Sequence, residues 1–552
     1  MRAGGRVHRF CFASILLTLA LSAQQTAAKR QEPPKPETGS IEGRVINGVS
    51  GEGVKKAEIV VYGRENQRYT TTTGSGGGFA MPDIEPGRYR LEVSKRGYAR
   101  FVYGARGTDH PGAMLSVDSG QHVSNLVLPM SPQAVITGRV LDEDGDPVPY
   151  IEVQLLRYGF HHGKRRLEQA DGGQTDDLGE FRLSGLSPGK YYLSAESEGW
   201  QRDYASEGFA PTYYPRTTDP AGATAIDVRP GSLLRRVDIA LIKARTVRVR
   251  GRVVDPTTKQ TAEGMSLMQG VGVQLEPRGE FMWSSRSFSP NNMDTQGNFE
   301  IRGVVPGVYL IQAFKRTQGK QYFARQAIDA GQSDIENIVL ELSPAAEIKG
   351  QMHLEGRTPE SPGDAQVSLN PQGAYYFGSP GASVKADGTF TISNVVTATH
   401  YELNVNGLRE DYYVKSARLG NADILDAGVE FTSSVTGQLD VFMSSNGGEV
   451  EGVVLNADDQ PTNTATVELV PDEPHRARSR LYRQASTDQY GRFLIKGVAP
   501  GGYKLFAWED IIDGQYEDPE FMKSYESLGQ PVTIRELSHD SAQLKLIPAE
   551  KR

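Results

Sequence analysis
One pattern, written five times along the 552 residues, limits what this chain can fold into more than any other feature. An apolar–x–Gly–x–apolar start stands at 41–45 as Ile41-Glu42-Gly43-Arg44-Val45, and recurs at 136–140, 249–253, 348–352 and 450–454. Its glycines, Gly43, Gly138, Gly251, Gly350 and Gly452, are 95, 113, 99 and 102 residues apart. An alternating triplet follows each: Ala57/Ile59/Val61, Ile151/Val153/Leu155, Val271/Val273/Leu275, Ala365/Val367/Leu369 and Ala465/Val467/Leu469. Period-two alternation puts the three side chains on one face of a half-buried strand.

The later half of each unit carries the stronger mark. Phe79-x-Met81, Phe181-x-Leu183, Phe299-x-Ile301, Phe390-x-Ile392 and Phe493-x-Ile495 each follow a Gly-containing turn, with Asp also in the last four. A tyrosine opens the next strand: Tyr89, Tyr191, Tyr309, Tyr401 and Tyr503, lying 10, 10, 10, 11 and 10 residues beyond the phenylalanine. Pro86-Gly87, Pro188-Gly189, Pro306-Gly307 and Pro500-Gly501 intervene in four units, and Thr397-Ala398-Thr399 in the fourth. Proline fixes φ and glycine permits a positive φ, so the segment predicts a tight strand–turn–strand. A tyrosine just past a corner can bury its ring and bond its hydroxyl to nearby backbone, the tyrosine corner of Greek-key sandwiches. The expectation is an all-β chain of five tandem Greek-key β-sandwich domains at 39–131, 134–243, 246–343, 345–444 (the degenerate copy) and 447–548. Short linkers suggest a semi-rigid string of beads.

The motif G-R-V followed by D-x-x-G-x-F-x-[IL]-x-G-[VL]-x-P-G-x-Y resembles carboxypeptidase regulatory-like domains. Residues 176–191, 294–309 and 488–503 fit the longer form; unit one has Gly74 in place of the aspartate and unit four lacks Pro-Gly. The resemblance implies a transthyretin-like (prealbumin-like) sandwich, grouped with carbohydrate-binding-like folds and frequent in secreted and envelope proteins of bacteria. It also implies that any chemistry lives elsewhere, because in the enzymes that name the family this domain is an appendage to a metallopeptidase.

Before the repeats comes an address. Arg2, Arg6 and Arg9 precede an apolar run at 10–21, too short to span a bilayer, and Leu21-Ser22-Ala23 suits cleavage. Residues 1–23 therefore read as a signal peptide and 24–38 as a Pro-rich spacer, so the protein is expected in the periplasm, at the cell surface or released. No later stretch reaches transmembrane length. The only cysteine, Cys11, falls inside the leader, which excludes a disulfide framework or a cysteine zinc site in the mature chain. With 60 Lys+Arg against 68 Asp+Glu and a net charge of −8, no basic excess exists to displace phosphate counterions, which argues against nucleic acid.

Catalytic signatures are sparse. None of the nine histidines has Glu three residues later, so the zinc pair of a metallocarboxypeptidase is missing. Gly185-Leu186-Ser187-Pro188-Gly189 matches G-x-S-x-G, but it lies in the Phe-to-Tyr turn with a strand after it, and the equivalent residues elsewhere are Glu85, Val305 and Ala499. Asp142, Asp144 and Asp146 form a weak calcium candidate, better read as an Asx-rich turn. Trp200, Tyr204, Phe209, Tyr213 and Tyr214 in unit two, and Trp508 and Tyr516 in unit five, are either a platform for sugar rings or packing at the sandwich edge. The expectation is a non-catalytic array without cofactor or metal that binds polysaccharide or cell-envelope proteins. The alternative is a structural or protein-interaction spacer, and more remotely a hydrolase accessory.

Overall fold
The computed structural model describes residues 37–549, apart from 65–66, 106, 108–109, 198–206, 256–259, 262–270, 279–292, 295, 318–319, 357–360, 372–377, 398, 427, 432–436 and 474. The proposed leader and most of the Pro-rich spacer therefore lie outside the described residues. Among the described residues the regular structure is nearly all strand, with a few 3-10 turns and one five-residue α-helix, Pro519–Lys523.

Two sheets pack face to face in each repeat. In unit five, Gly448–Leu455 lies between Arg492–Val498, antiparallel, and His539–Lys545, parallel. The facing sheet runs Arg483–Ser486, Thr466–Pro471, Gly501–Trp508, Gln530–Ile534. Unit one repeats this plan, with Gly39–Asn47 between Gly78–Ile84 and His122–Met130. Sheets with alternating burial need a second layer over their apolar face, and each sheet supplies it for the other. Five large clusters result, each built from its own unit's alternating triplet, phenylalanine and tyrosine strands. Unit four departs from the plan: Tyr413–Leu419, after its tyrosine strand, crosses to pair with Leu439–Ser444 in the other sheet.

The two sequence marks meet across the first sheet. Gly43 pairs with Phe79, Gly138 with Phe181, Gly251 with Phe299, Gly350 with Phe390 and Gly452 with Phe493. At Gly452 a Cβ would lie 1.9 Å from the Ala542 carbonyl oxygen and 2.8 Å from the Phe493 ring. A side chain at this position has nowhere to go, because the parallel last strand closes one side and the ring covers the other.

The units do not form an extended string. Unit five folds back onto unit one: Met114 N–H donates to Thr487 O at 3.0 Å, and Ser116 Oγ donates to Asp488 Oδ2 at 2.8 Å. It touches unit two where His162 Nδ1 lies 2.9 Å from Ser479 Oγ, and unit four where Arg478 pairs with Asp426 at 2.9 Å. The string-of-beads expectation is thus corrected. Short linkers limit separation between neighbours in sequence, but the loops that join strands carry hydrogen-bonding groups able to hold distant units together.

Candidate functional site
Each motif residue has a local structural role. The tyrosine hydroxyl donates to the backbone carbonyl four residues back: Tyr191 to Ser187 at 3.0 Å, Tyr309 to Val305 at 2.8 Å and Tyr503 to Ala499 at 2.8 Å. In unit four the extra residue moves the acceptor one place, to Val396 O at 3.2 Å. Burial pushes the Tyr503 phenol up to about 12. Ser187 is the residue whose carbonyl receives the corner tyrosine, and a strand, Gly189–Ser197, follows it. The strand-to-helix geometry of a nucleophile elbow is not present at this serine.

The aspartate ahead of the phenylalanine caps its turn. Asp176 Oδ1 accepts from Leu178 N and Glu180 N at 3.0 and 2.9 Å, and Asp294 Oδ1 from Gln296 N and Asn298 N at 2.9 and 2.8 Å. Unit one closes the same turn by backbone alone, Gly77 N to Gly74 O and Gly74 N to Gly78 O. Asp142 behaves alike in another loop: its Oδ1 accepts from Asp144 N at 3.0 Å and Asp146 N at 2.9 Å, so the carboxylate is engaged in an Asx turn. Among the described residues no three His, Cys, Asp or Glu side chains converge as metal ligands.

Sequence reasoning missed a threonine just before this turn in three units. Thr73, Thr175 and Thr487 are buried; each hydroxyl accepts from the backbone N–H of Ala57, Ile151 or Ala465 and so ties the turn to the start of the triplet strand. The signal, a Thr preceding Gly or Asp, was legible in these three units and absent from Met293 and Val384 in the others.

The aromatic candidates scatter. Trp508 is 2% exposed and Tyr516 9%; both belong to a cluster with Val470, Tyr482, Phe506, Ile511, Met522 and Ile547. Trp508 stacks on Phe506 with centroids 5.1 Å apart. Neither ring offers a face to a sugar, which corrects the platform reading at those two residues. The outer side of this sheet carries Val470, Phe506 and Trp508 and is roofed by segment 509–529, so these aromatics serve as core. In unit two, Tyr213 is buried against Leu156 and Leu167, whereas Tyr214 and Phe209 are half-buried against the main cluster. Trp200 and Tyr204 lie outside the described residues.

The structure assembles two arrangements that the sequence did not reveal. The first is the seam between units one and five. Asp488, 1% exposed, accepts from Tyr490 N, Arg492 N and Arg492 Nε, each at 2.9 Å, as well as from Ser116. Beside it Gln489 pairs with the strand Leu115–Val117 as another strand would: its Oε1 accepts from Ser116 N at 2.8 Å and its Nε2 donates to Ser116 O at 2.6 Å. Arg88 Nη2 donates to Ser486 O and Arg492 O at 3.3 and 3.2 Å. The cap that serves one turn in units two and three here also serves a docking contact.

The second is a cleft of about 180 Å³ between units three and four, lined by Gln312, Gln321, Ser393, Asn394, Val396 and Tyr401 among others. Its described lining carries amides and hydroxyls and no charged side chain. Arg325 Nη2 donates to Thr397 O at 3.3 Å nearby, holding unit three against the corner turn of unit four.

The fold and these contacts define a multidomain β-sandwich protein whose loops are engaged in turn caps and inter-unit seams. Within it, residues 40–124 and 135–241 match the family model of the carboxypeptidase regulatory-like domain, and these two segments are domains of that kind. No curated protein matches the chain. Among solved structures it is similar to the TIE protein of Bacillus anthracis, at 14% identity and a TM-score of 0.17, over 56% of this chain and 51% of that one. It is also similar to the minor pilin of the gram-positive pathogen Streptococcus agalactiae, at 14% identity and a TM-score of 0.23, over 37% of this chain and 95% of that one. The major pilin subunit BcpA of Bacillus cereus aligns at 10% identity and a TM-score of 0.14, over 55% of this chain and 99% of that one. At such scores the likeness extends to neither function nor assembly. This chain spans about half the length of the first of them.

Proposed function
We propose that this chain is an exported, non-catalytic scaffold. Five β-sandwich domains, with the bounds given above, are gathered by the fifth and present a fixed arrangement of surfaces to cell-envelope partners. The observation that carries this reading is the docking of unit five on units one, two and four through loop residues that an isolated sandwich would leave in water. A scaffold gains from fixed spacing, because tethered weak contacts add only when their separation suits the partner. The signal peptide read at 1–23 from its arginines and short apolar run supports a location outside the cytoplasm. Fractionation of cells, followed by cross-linking in the intact envelope, tests this: the protein should be extracytoplasmic and cross-link to a reproducible envelope partner from more than one unit. Recovery in the cytoplasm, or turnover of ester or peptide substrates lost with Ser187→Ala, would count against it.

A second reading, polysaccharide binding, is favoured by the cleft between units three and four. A neutral, amide-lined space suits hydroxyl groups and not an anion. A cavity of about 150 Å³ accepts a benzene ring, so this one has room for a single sugar ring. Pull-down on insoluble neutral polysaccharide should retain the protein and fail with Asn394→Asp, which brings a charge to the lining. Retention unaffected by Asn394→Asp but lost with Trp200→Ala would move the site to unit two.

A further inference from the structure
Unit five buries a carboxyl group under a covering segment. Along Thr466–Pro471, Val467 and Leu469 face the sandwich core, so Glu468, between Thr466 and Val470, faces outward. It pairs with Phe506 of Gly501–Trp508. That outward side is closed by segment 509–529, whose Ile511, Tyr516 and Met522 pack on Val470, Phe506 and Trp508. Glu468 is 0% exposed beneath it. One carboxyl oxygen accepts from Gln484 Nε2; the other, Oε2, has no partner, and neither has the buried Trp508 Nε1. A carboxylate in that position would be desolvated with only one hydrogen bond, so the neutral acid is the form that fits. Burial, with Asp513 and Glu517 adding to it, holds this carboxyl well above the usual carboxylate range.

The groups around it reinforce the preference. From the cover come Asp513 and Glu517, both acidic, and Tyr516, whose hydroxyl donates to Asp513 Oδ1 at 2.9 Å. Tyr482, its ring centroid 5.8 Å from that of Tyr516, adds a phenol. Of the cations on the two neighbouring strands, Lys504 is held by Glu526 of the cover at 2.5 Å, as is Arg476 at 2.7 Å, and Arg483 donates to the Arg480 and Tyr482 carbonyls at 2.7 and 2.9 Å. His162, from unit two, acts on Glu517 and not directly on Glu468.

The cover's far side is the seat of unit two. Gly514 lies against Phe160, and Gly163 lies so close to the Glu517 carbonyl that a Cβ there would be 2.3 Å from it. Glu517 Oε2 accepts from Ser479 Oγ at 2.8 Å, and that hydroxyl is 2.9 Å from His162 Nδ1. The cover also reaches unit one, where His110 Nδ1 and Asp510 Oδ1 are 3.0 Å apart. Carboxyl, cover and the hairpin tip of unit two are thus stacked in three layers.

We propose that Glu468 is a pH-sensitive latch: as a neutral acid it lets segment 509–529 close and seat unit two, and its ionisation opens that segment and releases the hairpin tip. Opening frees one proton. The open fraction should therefore rise about tenfold per pH unit between the exposed carboxyl value, about 4.5, and the raised closed value.

The test uses the full chain carrying Trp200→Phe and Trp283→Phe, which leaves Trp508 as the single indole. Acrylamide quenching of Trp508 is followed from pH 4 to 9. A parallel sample with Cys11→Ser, Lys164→Cys and Glu520→Cys carries dyes that report the separation of unit two from the cover. Quenching and dye separation should rise together with pH, and both should be flat when Glu468→Gln is added. A flat parent profile, an unchanged slope in Glu468→Gln, or quenching that rises while the dyes stay close would overturn the latch. The parent profile alone decides the first point, whether or not Glu468→Gln folds.

Discussion

At the residue scale the repeat motif is a set of close contacts, and each has a measurable cost. Gly452→Ala would press a methyl group against the Ala542 carbonyl, 1.9 Å away, on a backbone fixed by strands on both sides. Overpacking of this kind typically costs about 1–3 kcal/mol, read as a lower urea midpoint for the unit-five transition. Tyr503→Phe removes one bond, to Ala499 O at 2.8 Å, and keeps the ring; the expected loss at neutral pH is about 1 kcal/mol. The same change alters alkaline behaviour. The folded phenol is raised to about 12 from 10.0, so the native state holds its proton more tightly than the unfolded chain. Its contribution is complete below pH 10 and lost as pH rises from 10 towards 12; urea titrations of Tyr503→Phe should show a smaller alkaline loss, because burial also raises Tyr482 and Tyr516 of the same unit. These roles were legible because glycine, phenylalanine and tyrosine each answer a local constraint: close approach, ring cover and corner bond. Glu468 was not legible. It stands in an apolar run at a place where alternation predicts exposure, and only the covering segment buries it.

At the element scale, strand order follows from the motif and the loops do not. The triplet, phenylalanine and tyrosine strands stand where the period-two pattern places them, because a half-buried strand must alternate. The parallel pairing of first and last strands joins residues 90 apart in unit five, and the crossing of Tyr413–Leu419 into the other sheet of unit four is a choice of partner sheet; periodicity encodes neither. The same limit misplaced the aromatic platform: Trp508 and Tyr516 look alike in sequence whether they meet solvent or the roof at 509–529. The turn cap offers a contrast that can be measured. Asp176 caps its turn with two backbone bonds, so Asp176→Ala should cost about 1–2 kcal/mol in unit two. Asp488 caps the same turn, is buried, and also receives Ser116 Oγ and Arg492 Nε. Asp488→Ala should cost roughly 2–4 kcal/mol and loosen unit one as well. Hydrogen exchange separates the two outcomes: Asp176→Ala should affect amides of unit two alone, whereas Asp488→Ala should also raise exchange at Met114 and Ser116.

At the scale of the whole molecule, the arrangement of the units depends on a few polar seams. Closing a long loop is entropically cheap per added residue, since each doubling of its length costs only about 0.6 kcal/mol. A handful of hydrogen bonds between units one and five can therefore hold a chain that spans several hundred residues between them. Those bonds are made by Ser116, Gln489 and Arg88, residues with no distinguishing pattern in the sequence, and by Asp488, whose motif position marks its turn cap but not its docking contact. Gln489→Ala removes the two bonds that mimic a strand, and Ser116→Lys places a bulky charge where Asp488 and Gln489 now close on a hydroxyl. In small-angle scattering a compact chain of this length has a radius of gyration of about 24 Å, whereas five units of about 13 Å each, set end to end, would exceed roughly 45 Å. The parent protein should lie nearer the compact value, and Gln489→Ala combined with Ser116→Lys should move it towards the extended one with no loss of strand content by circular dichroism. A parent already at the extended value would show that the seams do not close the chain in solution, and the scaffold would then owe its spacing to the linkers alone.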